Sequence, residues 1–113
     1  MKAKKIHRNL NAFPKYEDAL QRDLKNKTQA SLYLQAALSD YAKEDDMGCL
    51  LLAIRDVVKA QGGMAILAKK TKLGRESLYK ALSDSGNPQF STLWAILHAI
   101  GFHFSIELID KAA

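Results

Sequence analysis

Apolar side chains recur at helical spacing along most of this chain. The stripe is clearest in the first half of the sequence, where it comprises Ala30, Tyr33, Leu34, Ala37, Leu38 and Tyr41. A stripe of this kind predicts an amphipathic helix. Asn26, followed three residues later by Gln29, resembles a capping box, so we expect this helix to begin there and to run to about Lys43.

Two further segments flank this helix. Residues 17–24 can form a short helix that turns its leucines inward. On the other side, Asp45 and Asp46 can cap an apolar helix that ends at Gly62 and Gly63. Because glycine adopts backbone conformations that other residues avoid, we expect the chain to change direction sharply at this pair.

Residues 64–83 predict two short amphipathic helices joined by a tight turn, which is the arrangement of a helix-turn-helix. In the first helix one face is formed by Met64, Leu67, Ala68 and Thr71. In the second, the side chains that face inward are Leu78, Ala81 and Leu82. The polar residues at its entrance and on its outer face are Arg75, Glu76, Tyr79, Lys80 and Ser83. A polar stripe of this kind can enter a DNA major groove and contact base edges.

Beyond this pair, residues 85–88 are a strong turn signal, and Ser91 can cap a last helix that Gly101 closes. The tail at 102–109 alternates apolar with mainly polar residues, which is the period of a half-buried strand. A lone strand leaves backbone groups unpaired, so we expect it to pair with its two-fold mate in a homodimer. The expected dimer interface comprises Phe102, Phe104, Ile106 and Leu108. Pairing within the same subunit is the alternative.

The net charge of the chain favours an anionic binding partner. The chain carries 17 Lys and Arg against 12 Asp and Glu, a net charge of +5 that suits nucleic acid but is common in other proteins. Its distribution is more informative, since residues 1–25 hold seven basic and three acidic residues, and residues 62–90 hold five and two. Positive charge therefore collects in the N-terminal arm and in the predicted helix-turn-helix.

Length and composition limit the organisation of the chain. The 113 residues, of which 48% are hydrophobic, suffice for one globular domain with a single core. We expect a basic N-terminal arm at 1–16 and one domain at 17–113, with the helix-turn-helix at 64–83 and the strand at 102–109. The single Cys49 cannot form an intramolecular disulfide and the N-terminus has no apolar signal segment, so a cytoplasmic protein without a membrane partner is expected.

Three motifs resemble one known family. They are the stretch GGMAILAKKT at 62–71, the segment RESLYKALS at 75–83 and the segment GNPQFSTL at 86–93. Together they are similar to the addiction-module antidote family, the HigA-like antitoxins of bacterial toxin-antitoxin modules that contain an Xre-type helix-turn-helix. The likeness extends from about Tyr16 to Ile109.

The predicted elements and the resemblance imply an all-α protein, a five-helix bundle of the lambda-repressor-like helix-turn-helix type with a short C-terminal β-strand. The resemblance further implies an antitoxin that binds a palindromic operator in double-stranded DNA, neutralises a cognate RelE/ParE-like toxin and represses its own operon. A stand-alone or prophage-type transcriptional regulator without a toxin partner is the alternative. The chain departs from the family pattern at Lys72, which occupies the turn where glycine is usual, and at Gly74, which occupies the cap before Arg75.

Within this hypothesis the polar residues have separate roles. Arg75 could form two hydrogen bonds to guanine, and Tyr79 or Lys80 could reach a base edge or a phosphate. Glu76 could accept a hydrogen bond from cytosine, although it can also pair with Lys80 four residues later. The lysines near the turn would contact phosphates and position the protein without specifying sequence: Lys69, Lys70 and Lys72. A solvated polar helix face is the simpler alternative.

Other classes of function have little support in the sequence. The three histidines lack metal-ligand spacing with Cys49, and no glycine-rich phosphate loop follows a strand. We therefore expect neither an enzyme nor a metal or cofactor site. Four aromatic residues at regular apolar positions are expected in the core or the dimer interface rather than in a stacking platform for single strands: Phe90, Trp94, Phe102 and Phe104.

Overall fold

A computed structural model describes the main chain of residues 14–110. Within this range six helices follow one another: α1 (Pro14–Leu24), α2 (Lys27–Glu44), α3 (Met47–Ala60), α4 (Gly63–Thr71), α5 (Arg75–Ala81) and α6 (Phe90–Ala99). Residues 102–110 have no regular secondary structure, and the described range contains no strand. The all-α class is confirmed, whereas the expected five helices and the C-terminal strand are wrong.

Both corrections have physical reasons. The segment expected as a short helix at 17–24 is a full helix that begins at Pro14, whose fixed φ suits the first helical turn. The predicted arm at 1–16 therefore overlaps α1, and its first thirteen residues lie outside the described range. A strand at 102–109 needs a partner for its backbone groups, and the described part of a single chain offers it no other strand.

Helix α3 lies at the centre of the hydrophobic core. Seven of its residues are buried, and the helix packs against α1, α2 and α4. The same core includes Leu24 of α1, Leu34 of α2, Leu67 of α4 and Ile96 of α6. Helix α4 also packs against α5 and α6. The helix-turn-helix pair is thus attached to the core mainly through α4.

The helix ends confirm several of the predicted caps. The Asn26 side chain accepts a hydrogen bond from the N–H of Gln29 at 2.9 Å, and Asp46 accepts one from the N–H of Cys49 at 3.1 Å. Asp45 instead ends α2 in a left-handed conformation. At the end of α3, Gly62 and Gly63 have φ values of 124° and 89°, which produce the expected change of direction.

A partly buried polar pair ties α2 to α3. The Tyr33 hydroxyl donates to a carboxylate oxygen of Asp56 at 2.6 Å. Burial, followed by this hydrogen bond and the negative charge of Asp56, raises the pKa of Tyr33 far above its ordinary value. Nearby, the Gln61 amide donates to the carbonyl of Leu24 at 2.8 Å and so joins the end of α3 to the end of α1.

Helix α6 begins before the expected cap Ser91. Its N-cap is Gln89. The ring centres of Phe90 and Trp94 lie 6.2 Å apart on successive turns, and this contact stabilises Phe90 in the first turn of the helix. The helix closes at Gly101 as predicted, where the Gly101 N–H donates to the His98 carbonyl at 3.1 Å.

The start of the tail is anchored to the end of α6. The Phe102 N–H donates to the Leu97 carbonyl at 2.8 Å. From α2, the Lys27 ammonium group donates to the Ile100 carbonyl at 2.7 Å and lies 5.6 Å from the centre of the Phe102 ring. These contacts fix where the chain leaves the helical bundle. Within the described part of the chain, no helix combines the length and the hydrophobicity needed to span a membrane.

Candidate nucleic-acid interface

The turn between α4 and α5 is held by Thr71 and Lys72. Lys72 has a left-handed backbone conformation, with φ 64° and ψ 15°, and its N–H donates to the carbonyl of Ala68 at 2.9 Å. The Thr71 hydroxyl donates to the Leu67 carbonyl at 2.9 Å and accepts from the N–H of Leu73 at 3.2 Å. These bonds close α4 and lead the chain directly into α5.

The inner face of α5 is fixed by two leucines. Leu78 and Leu82 are fully buried and belong to the same cluster as Leu67 of α4. Because they lie one helical turn apart, they hold one side of α5 against the core. Gly74 precedes the helix in an extended conformation and makes no side-chain cap. The opposite side of α5 faces solvent.

Arg75 and Tyr79 lie side by side on this outer face. A guanidinium nitrogen of Arg75 donates to the Tyr79 hydroxyl at 3.4 Å, and the guanidinium carbon lies 5.9 Å from the centre of the Tyr79 ring. Tyr79 is 53% exposed. Glu76 and Lys80 are exposed as well, and the part of the chain that the structure describes shows no ion pair between them.

Three exposed lysines continue this surface across the turn. Lys69 and Lys70 lie in the last turn of α4, where the negative end of the helix dipole favours cations, and Lys72 follows them. The structure thus brings all seven residues predicted to contact DNA onto adjoining exposed segments. We name them the recognition surface: Lys69, Lys70, Lys72, Arg75, Glu76, Tyr79 and Lys80. With five cationic side chains and one carboxylate, it attracts polyanions.

Arg55 of α3 fixes the far end of α5. Its guanidinium group donates to the carbonyl of Leu82, the C-cap of α5, and to the carboxylate of Asp84 at 3.1 Å. The Arg55 side chain is 30% exposed and that of Asp84 is 64% exposed. No local pattern predicted this role for Arg55. An arginine between the apolar residues Ile54 and Val57 is the signal that could have identified it.

A groove runs beside the C-terminal half of α5. It is lined by Ser77, Lys80, Ala81, Ser83, Ser85, Gly86, Asn87 and Pro88. A Cβ atom at Gly86 would lie 2.3 Å from the carbonyl oxygen of Ala81, so only glycine permits the loop to approach the end of α5 this closely. Hydroxyl and amide groups along such a groove are suited to hydrogen bonds with phosphate oxygens.

The remaining candidate groups do not assemble into a site. Cys49 is half-buried, and His98 and His103 are exposed. Among residues 14–110 no three His, Cys, Asp or Glu side chains are grouped so that they could hold a metal ion.

Comparison with known proteins gives two matches. The sequence profile of a family described as "probable addiction module antidote protein" matches residues 15–108. An uncharacterized protein of Haemophilus influenzae is 34% identical over 74 residues, which cover 66% of this chain and 75% of the relative. No solved structure matches the chain significantly.

Proposed function

Because the chain belongs to the family of probable addiction module antidote proteins, we propose that it is a DNA-binding antitoxin. In this proposal a homodimer binds a palindromic operator in double-stranded DNA and represses its own operon. The same chain neutralises a cognate RelE/ParE-like toxin in the cytoplasm. Neither role requires a cofactor, and the chain is not an enzyme.

The observation that carries the DNA-binding proposal is the paired Arg75 and Tyr79 on the outer face of α5. A guanidinium group can form two parallel hydrogen bonds to guanine in the major groove. Its contact with Tyr79 restrains the arginine and reduces the conformational entropy lost on binding. The lysines around the turn supply phosphate contacts that orient α5 without reading sequence.

The test of DNA binding is fluorescence anisotropy with the region upstream of the gene and with unrelated duplex DNA. Arg75→Ala should weaken operator binding by about 1–3 kcal/mol and relax the preference at one base pair. Arg22→Ala, which removes an exposed arginine of α1, is the matched control and should leave affinity unchanged. An equal loss on operator and on unrelated DNA would contradict the assigned role of Arg75.

The toxin partner is tested by co-expression with the product of the adjacent gene. We expect the neighbour to be retained on the tagged chain and its toxicity to disappear. If the chain binds the operator but neither retains nor neutralises its neighbour, the antitoxin proposal fails and the alternative of a stand-alone regulator takes its place.

A further inference from the structure

The outer face of α6 carries an exposed cluster of aromatic rings. The ring centres of Phe90 and Phe104 lie 5.2 Å apart, and Trp94 stacks on Phe104 at 6.2 Å. Phe90 is 63% exposed and Trp94 is 45% exposed. Leu38 of α2, which is 39% exposed, lines the same small apolar pocket as Phe104. We name Leu38, Phe90, Trp94 and Phe104 the aromatic patch.

The tail divides into an anchored half and a free half. Phe102 and Phe104 are half-buried against the core of their own chain. Beyond them Ile106 is 100% exposed, Leu108 is 94% exposed and Ile109 is 78% exposed. We name residues 105–109 the free tail. Its apolar side chains are largely exposed within the single chain.

The apolar surface of the free tail and the patch matches what a dimer needs. Ile106, Leu108 and Ile109 each present on the order of 100 Å² of apolar surface. Phe90 and Trp94 add on the order of 100 Å² each, because a buried aromatic residue covers about 150–250 Å². A reciprocal contact therefore covers on the order of 500 Å² of apolar surface per chain, before the tail backbone is included. A stable interface buries about 800 Å² per partner, of which about 56–65% is apolar, so the apolar area required is also on the order of 500 Å².

We propose that the free tail of one chain docks on the aromatic patch of a second copy, and that the second copy returns the contact around a two-fold axis. The two surfaces are continuous in each chain, because Phe104 belongs to the patch and directly precedes the free tail. A two-fold contact buries both surfaces in both chains. This inference rests on the proposed homodimer and names the surfaces that form it.

The first test is the mass in solution, measured by light scattering at micromolar concentration without DNA or toxin. The wild-type chain should have twice its 12.6 kDa mass. Combining Ile106→Ser with Leu108→Ser should raise the dimer dissociation constant by about a hundredfold. These side chains are exposed within the chain, so the substitutions should not unfold it, which circular dichroism checks. Leu32→Ser removes an exposed leucine that does not line the patch, and should leave the dimer intact.

The second test locates the contact. Two proteins, Leu38→Cys and Ile106→Cys, each with Cys49→Ser, are mixed and treated with a bifunctional maleimide. We expect a cross-link between the two chains. A mixture that gives no cross-link, while a single protein carrying both substitutions links within its own chain, would overturn the inference.

The outcomes separate this inference from the proposed function. If the tail variant remains dimeric, the inference fails and the homodimer stands. If the wild-type chain is monomeric, both fail, although DNA binding and toxin capture are still measured independently. If the wild-type chain is a monomer and its tail variant no longer binds the toxin, the free tail contacts the toxin and not a second copy. That result would overturn the inference.

Discussion

Lys72 holds a left-handed backbone conformation that costs a residue with a Cβ about 1 kcal/mol or more. Lys72→Gly should therefore raise the free energy of unfolding by about 0.5–1 kcal/mol, since glycine removes the strain but loses more chain entropy. Urea denaturation measures this change. Lys70→Gly is the matched control, because the same substitution within α4 should destabilise the protein by about 1 kcal/mol. Destabilisation by both substitutions would contradict the strain at Lys72.

Tyr33 makes the stability of the fold sensitive to alkaline pH. Burial and its bond to Asp56 raise the pKa of Tyr33 in the folded state, whereas in the unfolded chain it titrates near 10. Above about pH 10 the unfolded chain therefore releases a proton that the folded chain retains, so the free energy of unfolding falls as pH rises. This loss begins near the unfolded pKa and continues toward the folded one.

Tyr33→Phe should remove that pH dependence. At neutral pH the variant should be less stable by about 1–3 kcal/mol, because the Asp56 carboxylate loses a partly buried hydrogen-bond donor. Denaturant titrations between about pH 8 and about pH 11 should show the two proteins converging as pH rises. A constant difference across that range would contradict the role of Tyr33.

At the scale of residues, the sequence predicted what depends on local spacing. The cap at Asn26 and the inward leucines of α5 follow from neighbouring positions, whereas the non-glycine turn at Lys72 was indicated by the resemblance to the family pattern. The role of Arg55 could not be predicted in this way, since its hydrogen-bond partners lie 27 and 29 residues away along the chain. Tertiary hydrogen bonds of this kind have no local pattern.

At the scale of elements, α5 is a short helix held at both ends by other parts of the chain. Arg55→Met removes the bonds to Leu82 and Asp84, and should lower the free energy of unfolding by about 1–3 kcal/mol because a carbonyl with little solvent access loses its donor. It should also weaken operator binding, since the end of α5 is no longer fixed. Denaturation and anisotropy on the same samples measure both effects.

Asp84→Asn is the control for Arg55. The Asp84 side chain is 64% exposed, so its ion pair is screened by solvent and its loss should cost less than about 1 kcal/mol. If Asp84→Asn destabilised the protein as strongly as Arg55→Met, the ion pair with Asp84, and not the bond to the Leu82 carbonyl, would account for the stability that Arg55 contributes.

Helical periodicity predicted the elements of the core well but their ends and the tail less well. The predicted start of α6 was wrong. The contact between Phe90 and Trp94 extends the helix toward its N-terminus, beyond the expected cap Ser91. The alternation at 102–109 is real, yet a strand also needs a partner, which a single sequence does not show. The exposure of Phe90 and Trp94 likewise depends on how the helices pack.

At the scale of the whole molecule, the recognition surface is a concentration of positive charge within the described residues. Lysine and arginine supply five positive charges to the recognition surface, whereas residues 26–61 carry more acidic than basic residues. This uneven distribution of charge along the chain is visible in the sequence. The structure adds that the lysines of the turn and the stripe of α5 form adjoining exposed segments.

This asymmetry predicts how DNA binding responds to salt. Lys70→Gln should reduce the slope of log affinity against log salt by about one unit on both operator and unrelated DNA. Lys43→Gln is the matched control, because this exposed lysine lies at the end of α2 in the acidic part of the chain. Its slope should equal that of the wild type. An unchanged slope for Lys70→Gln would remove that lysine from the phosphate contacts.

Helix α5 has seven residues, fewer than two turns, and so few residues cannot stay helical alone in water. A synthetic peptide copied from 75–81 should therefore be a coil with no affinity for the operator. Helix α5 forms, and its polar outer face is arranged, only when Leu78 and Leu82 are packed in the core. The proposed occupancy of the operator in the cell would therefore follow the fraction of chains that are folded. In the proposed role as a repressor, mild heat or proteolysis would then release the promoter without changing any side chain of the recognition surface.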